Sequence, residues 1–225
     1  LKSLYLQSKL RWRIFKAVNK TIEAYYRAVL DNVSKPLSQI PLMALDLEMT
    51  GLDPQCDQIL SIGLVPIYNG MLQLEKAQHK LVSIEGSVGD SAIIHGIVDR
   101  QLATATSAKE AMVWFLNQTR GHVLVAHHAP LDMCFLKTEV HRSLGERMSF
   151  LAIDTMSLER SRLLRQHDVI KEGSLRLDAC RRRYGLPIYA AHNATVDALA
   201  CGELLLAQMA GIAGQDELSL FDLIR

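Results

Sequence analysis

The sequence has no CxxC pair, no apolar run approaching a membrane span and almost no net charge, and each absence removes a class of function. Its four cysteines, Cys56, Cys134, Cys180 and Cys201, are scattered through 225 residues. A zinc ribbon or a disulfide framework needs closer, patterned spacing, so reduced thiols in a cytoplasmic protein are expected. No continuous apolar run approaches the roughly 20 residues that cross a bilayer, so no membrane partner is expected. The first residues are basic and amphipathic rather than continuously apolar, which is not a secretory signal pattern. The net charge of +1 gives no whole-molecule field that would steer a polyanion. Internal repeats and low-complexity segments are also missing. What remains, 49% hydrophobic and 22% charged residues, suits one globular domain with a sizeable core.

Charge is more informative in its distribution. Residues 1–31 carry Lys2, Lys9, Arg11, Arg13, Lys16, Lys20 and Arg27 against only Glu23 and Asp31, and a second basic stretch runs from Arg160 to Arg183. Either can track phosphates or be a solvated helix face, and charge alone does not choose. Apolar residues at Leu4, Tyr5, Leu10, Ile14, Phe15, Val18, Ile22, Tyr25, Tyr26 and Val29 predict one long amphipathic helix over 3–31. Ser34 to Pro41 breaks it. Residues 1–40 therefore form an appendage whose apolar face packs on its own domain, on another protein or on a second copy.

From Pro41 the pattern changes. Leu42–Leu47 reads as a buried strand and Ile59–Tyr68 as a second; Asn69-Gly70 is a hairpin turn, and 71–84 holds a third strand. Ser107 with Glu110 is a capping box opening a helix to about Gln118. His122–Ala126 is a strand, Pro130 opens a helix, and Phe150–Ile153 is a fifth strand. Helices follow over about 155–165, 174–184 and 194–210. This order implies an α/β domain, 41–212, built on a mixed five-stranded sheet, with 213–225 as a carboxy-terminal tail.

Asp46 and Glu48 stand two residues apart at the end of the first strand, so both carboxylates share one face. Charge at the end of an apolar central strand needs a partner, because an unpaired buried carboxylate is costly. Asp132 and Asp197 each fall in the first turns of a helix, where an acid also favours the macrodipole. His127 and His128 read singly as ordinary core histidines. A zinc site built from His122, His127, His128 and His192 lacks both spacing and cysteine company.

The combination is more specific than its parts. Asp46-Leu47-Glu48 with Thr50-Gly51-Leu52, then Ala126-His127-His128-Ala129 leading to Asp132, then His192 five residues before Asp197, resembles the DnaQ-like (DEDDh) 3′–5′ exonuclease family. Ile94-His95-Gly96-Ile97 and Asp154-Thr155 are similar to it as well. The resemblance covers about residues 41–210 and leaves out the amino-terminal helix. Its first motif, through Asp53-Pro54, is more similar to oligoribonucleases; its later motifs are more similar to the proofreading epsilon subunit of DNA polymerase III.

The resemblance implies a ribonuclease-H-like fold in which Asp46, Glu48, Asp132 and Asp197 hold two divalent cations, Mg²⁺ or Mn²⁺, and His192 is the general base. It also implies that Thr50, Gly51, Leu52, His95 and His128 contact the terminal nucleotide, His128 standing where many relatives carry Asn. The implied partner is a single-stranded 3′ end, and a polymerase assembly is a candidate setting. The chemistry suits the residues. Two like charges 4 Å apart repel by about 4 kcal/mol at a dielectric of ~20, hard cations relieve this, and imidazole exchanges protons near neutrality. DNA is the leading substrate and short RNA the alternative. A catalytically idle binding or scaffold module is the reading from another class, disfavoured because all five positions are chemically competent.

Overall fold

In a computed structural model, which describes residues 1–165, 168–213 and 218–224, the central hairpin pairs β1 (Leu42–Met49) antiparallel with β2 (Ile59–Tyr68). Both strands are almost wholly buried, as near-continuous apolar runs require. The expected third strand divides into β3 (Met71–Leu72) and β4 (Gln78–Leu81), because a 3-10 turn at Leu74–Lys76 interrupts it; both pieces pair with β2. β5 (Val123–Ala126) runs parallel to β1, and β6 (Ala152–Asp154) runs parallel to β5. The mixed sheet thus has the order β3-β2-β1-β5-β6 with β4 also on β2, six strands among the described residues where five were expected. The carboxyl ends of β1, β5 and β6 share one edge, the place where open α/β sheets bind ligands.

Two short helices, α3 (Ala92–His95) and α4 (Asp99–Leu102), occupy what reads as loop in the sequence. α5 (Ala108–Gln118) opens with the expected capping box, the Ser107 hydroxyl donating to Glu110 at 2.6 Å. α6 (Ala129–Leu144), α7 (Thr155–Leu163), α8 (Leu177–Arg183) and α9 (Ala194–Ala213) follow. By length and composition α9 could cross a bilayer, a run the sequence reading overlooked. It lies instead across β1 and β2, with Ala198, Cys201, Leu204 and Leu205 buried. The expected tail is described at Ala213 and over 218–224, where α10 (Leu220–Leu223) buries Leu220 and Leu223; 214–217 and Arg225 lie outside the described residues.

The single helix expected over 3–31 is two: α1 (Lys2–Lys16) and α2 (Lys20–Asn32). The cause is local and tertiary together. Asn19 caps α2, its side chain accepting from the Thr21 and Ile22 N–H groups. The Glu146 carboxylate accepts from Val18 N–H at 3.1 Å and Asn19 N–H at 2.7 Å, holding the break open. α2 buries Ile22, Tyr25, Tyr26 and Val29 in the same core as β1. The rings of Tyr25, Phe150 and Phe115 meet edge to face at 5.8 and 5.7 Å.

All four cysteines are free. Half of the second basic stretch is paired with acids: Arg162 and Arg183 both bind the buried Glu159, Arg182 pairs with Asp178 and Arg181 with Glu203.

Candidate active site

The site is assembled where α9 lands on the hairpin. Asp46 and Glu48 project from β1 opposite Gly63 and Ser61 of β2, so the carboxylates face small neighbours. Gly63 has no room for a side chain: a Cβ there would sit 2.2 Å from the Ala194 carbonyl and 2.4 Å from the Thr195 nitrogen. The first turn of α9 therefore rests directly on β2 beside Asp46, and it brings Asp197 with it. Ligand oxygens of Asp46, Glu48 and Asp197 lie within 4.8 Å of one another.

Asp132 reaches the same region from the first turn of α6 and is buried, though it lies outside that set of three. α6 begins at His128, whose φ of 77° is left-handed. Asn adopts this conformation most readily after Gly, so the backbone here would suit the Asn that the family resemblance implies at this position. The turn is held by Asp154, whose Oδ1 accepts from the His128 N–H at 3.0 Å, the Ala129 N–H at 3.3 Å and the Met156 N–H at 3.1 Å. One carboxylate at the end of β6 thus fixes the starts of both α6 and α7.

Burial raises the proton affinity of all four carboxyls, and neighbouring carboxylates add to it at Asp46, Glu48 and Asp132. Burial pushes Asp46 well above the ordinary carboxylate range, and Asp132, Asp197 and Glu48 push it further. Burial, then Asp197, lifts Glu48 to about 7. Burial lifts Asp132 to about 8, against its own backbone N–H and helped by Asp154 and Glu48. Burial also raises Asp197, opposed by the N–H groups of His192 and Asn193. Unaided, the chain does not hold four negative charges here at neutral pH. An all-oxygen donor set with this unrelieved repulsion fits hard divalent cations and not soft ones.

His192 is exposed and left-handed, at φ 69°. Its N–H donates to Asp197 Oδ2 at 2.7 Å, and that of Asn193 donates to the same oxygen at 3.1 Å, so histidine and carboxylate are indexed to one another. The loop before His192 is braced from behind by buried Arg181. Its guanidinium donates to the carbonyls of Ala200 and Pro187 and to Glu203, while the Tyr189 hydroxyl donates to Glu203 at 2.9 Å. Asp46, Glu48, His192 and Asp197 line one cleft of about 440 Å³.

None of the five expected nucleotide contacts lines that cleft. The Thr50 hydroxyl donates to Asp57 at 3.0 Å and accepts from the Gln58 N–H, closing its own loop. At Gly51 a Cβ would fall 2.4 Å from the Asp57 carboxylate. Leu52, beyond it, is 75% exposed. His95 Nδ1 accepts from the Ile97 N–H, its Nε2 is buried without a partner, and burial, then nearby His192, lowers its pKa. His128 is exposed at the head of α6. The zinc alternative dissolves: His122 is engaged by Tyr68 and Arg120, and His127 by Thr155 and the Leu175 carbonyl.

Gly63 and the Arg181–Glu203 brace were not foreseen, and Asp154, present in a family-like motif, was foreseen without its role in holding the turns. Asp154 left the Asp154-Thr155 motif as its signal, and Gly63 left a glycine inside an otherwise apolar strand.

Residues 43–205 match the model of the exonuclease family typified by RNase T. The chain belongs to this exonuclease family. Among relatives, the PolC-type DNA polymerase III of Thermotoga petrophila is 31% identical over 82% of this chain, which spans only 13% of that protein. The DNA polymerase III epsilon subunit of Treponema pallidum is 28% identical, over 79% of this chain and 80% of its own length. Among solved structures, E. coli exonuclease I bound to single-stranded DNA superposes with a TM-score of 0.67 at 14% identity, covering 82% of this chain and 42% of that one. Cell-death related nuclease 4 gives 0.63 at 16% identity, over 78% and 65%. These likenesses agree with the ribonuclease-H-like mixed sheet.

Proposed function

We propose that the protein is a 3′–5′ exonuclease that removes nucleoside 5′-monophosphates one at a time from the 3′ end of single-stranded DNA, with two divalent cations, Mg²⁺ or Mn²⁺. The observation that carries the reading is the convergence of Asp46, Glu48 and Asp197 within 4.8 Å, in one cleft with exposed His192. Asp46, Glu48, Asp132 and Asp197 would hold the cations. Bound there, the ions supply positive charge to the scissile phosphate and to the attacking and departing oxygens. His192, free at its ring and fixed at its backbone, takes the proton of the attacking water on a ring nitrogen. Asp197 and Asp154 orient, the first through the His192 N–H and the second through the turn that presents Asp132. Leu52 and His95 flank the end of the strand, and Thr50, Gly51 and His128 shape the loops that receive it. The catalytic unit spans 41–212, with 1–40 and 213–225 flanking it.

The relatives named as parts of DNA polymerase III support DNA as substrate and a polymerase as the setting. The oligoribonuclease-like first motif favours short RNA as the second reading. A panel of 5′-labelled DNA and RNA strands of several lengths, with 3′-hydroxyl or 3′-phosphate ends, separates them. DNA ladders from 3′-hydroxyl ends are expected; exclusive cleavage of short RNA would move the assignment to the second reading.

A further inference from the structure

The amino-terminal helix α1 is apolar on two opposite sides, and only one is used. Leu10 is buried against the domain, and Leu6 and Ile14 pack on the same core. On the other side Leu4, Tyr5, Trp12 and Phe15 are 64, 71, 61 and 81% exposed, at a spacing that places them along one helix face with exposed Ser8 among them. Cations border this stripe. Lys9 and Lys16 run along one margin and Arg11 along the other, all exposed, and no acidic residue lies between Leu1 and Ile22. Arg11 reaches only the neutral Gln7, at 3.4 Å; of the other cations, Arg13 donates to the Tyr26 hydroxyl and the Ser149 carbonyl, and Lys2 lies near Asp222.

The stripe is remote from the carboxylates. Arg13 and Tyr26 bond to Ser149, just ahead of β6, and Asn32 bonds to the Gly121 carbonyl, just ahead of β5. The α1–α2 pair thus sits at the amino ends of the parallel strands, whereas Asp154 and the site lie at their carboxyl ends. Whatever covers α1 leaves the cleft open.

We propose that the outer face of α1 lies on an anionic lipid surface. Three features favour this over other occupants. Trp, Tyr and Phe are the side chains that settle at the headgroup level, with Lys and Arg reaching to phosphates on either side. A second copy would bring one uncompensated row of cations against another. The inner half of α1 is committed to the domain, so what it offers is a ridge about 17 Å long from Leu4 to Phe15, which a plane accepts along its whole length. The interaction is peripheral, with the nuclease domain held outside the bilayer and its cleft facing away.

The test uses the full chain with vesicles of phosphatidylcholine alone or mixed with phosphatidylglycerol. Sedimentation measures partitioning. A Trp114→Phe variant leaves Trp12 as the only tryptophan, so its emission reports the local environment. Binding to the anionic vesicles is expected, at least about tenfold stronger than to neutral ones and weakened by salt. Trp12 emission should shift to the blue. The double variant Lys9→Glu/Lys16→Glu should lose at least about tenfold in partitioning, as should Trp12→Ala/Phe15→Ala, with melting temperature and nuclease activity in solution unchanged. No preference for anionic vesicles, or unaltered partitioning in both double variants, overturns the proposal. So does either of two alternative outcomes. One is a dimer in solution that these substitutions dissolve, which assigns the face to a second copy. The other is an equal loss of affinity for single-stranded DNA, which assigns it to nucleic acid.

Discussion

Gly63→Ala adds one methyl group and should disable an enzyme whose carboxylates it never touches. The strand conformation at Gly63 is one that alanine adopts freely, and in open space the change would stabilise by about 0.5–1 kcal/mol. There is no open space. The new Cβ would sit 2.2 Å from the Ala194 carbonyl, against the 3.0 Å below which real Cβ contacts essentially never fall, so the first turn of α9 must back away by at least about 0.8 Å. Both colliding groups are backbone and cannot swing aside. Overpacking of this kind costs about 1–3 kcal/mol, or about 2–12 °C of melting temperature at this size. The larger effect is on chemistry. Asp197 and His192 ride on the displaced turn while Asp46 and Glu48 stay on β1, and a shift near 1 Å costs about 100-fold in rate. Digestion of a 5′-labelled strand at saturating Mg²⁺, beside a thermal melt, measures both. Wild-type turnover with an unchanged or higher melting temperature would show that α9 is not seated on Gly63, and the account of how the site is built would fail.

Other outcomes follow from the same geometry. His192→Ala should lower kcat by about 10²–10⁴-fold while Mn²⁺ affinity, followed by calorimetry, stays within a few-fold; collapse of affinity would make His192 a ligand. Metal-free protein should lose stability as pH rises. Glu48 and Asp132 titrate at about 7 and about 8 when folded, above their ordinary 4.5 and 3.8, so the folded state binds more protons and its advantage drains away between roughly pH 4 and 8. Melts in chelator should fall across that window, Mg²⁺ should restore stability at pH 8 but little at pH 5, and a flat profile would contradict the crowding. Asp46→Asn should raise the metal-free melting temperature at pH 8 while abolishing turnover; a lower one would mean that Asp46 is not the crowded group. Glu203→Gln leaves buried Arg181 short of its charge partner, so a loss of about 1–3 kcal/mol is expected, with kcat falling more than KM rises. A change in KM alone would place the brace outside the chemistry.

What the sequence disclosed depended on whether the signal was local. Asp46 and Glu48 share a face because strands alternate, and Ser107 with Glu110 caps α5 because that spacing closes a box; both are visible in a few residues. The break in the amino-terminal helix was hidden because Glu146, 127 positions from Asn19, completes it. The stretch 71–84 was expected to hold a third strand and room for more, and the turn at Leu74–Lys76 sets the division into two. The cations around Arg181 look like a solvated or phosphate-tracking face in one dimension, and only the fold shows Arg181 spent on Glu203 and the Pro187 carbonyl. The bond from the Thr50 hydroxyl to Asp57, seven positions on, is likewise visible only in the fold. Outside the motif that joined Asp46, Glu48, Asp132, His192 and Asp197, residues that meet across long stretches of chain were the ones out of reach.

The most direct test of the shared carboxylate site is a time course on a 5′-labelled single-stranded DNA, comparing wild type with Asp46→Ala, each in Mg²⁺ and in chelator. A ladder descending by single nucleotides in wild type with Mg²⁺, and an intact strand in the other three lanes, is the result expected. Shortening in chelator, or in Asp46→Ala with Mg²⁺, would contradict the claim that these side chains gather cations to cut the chain.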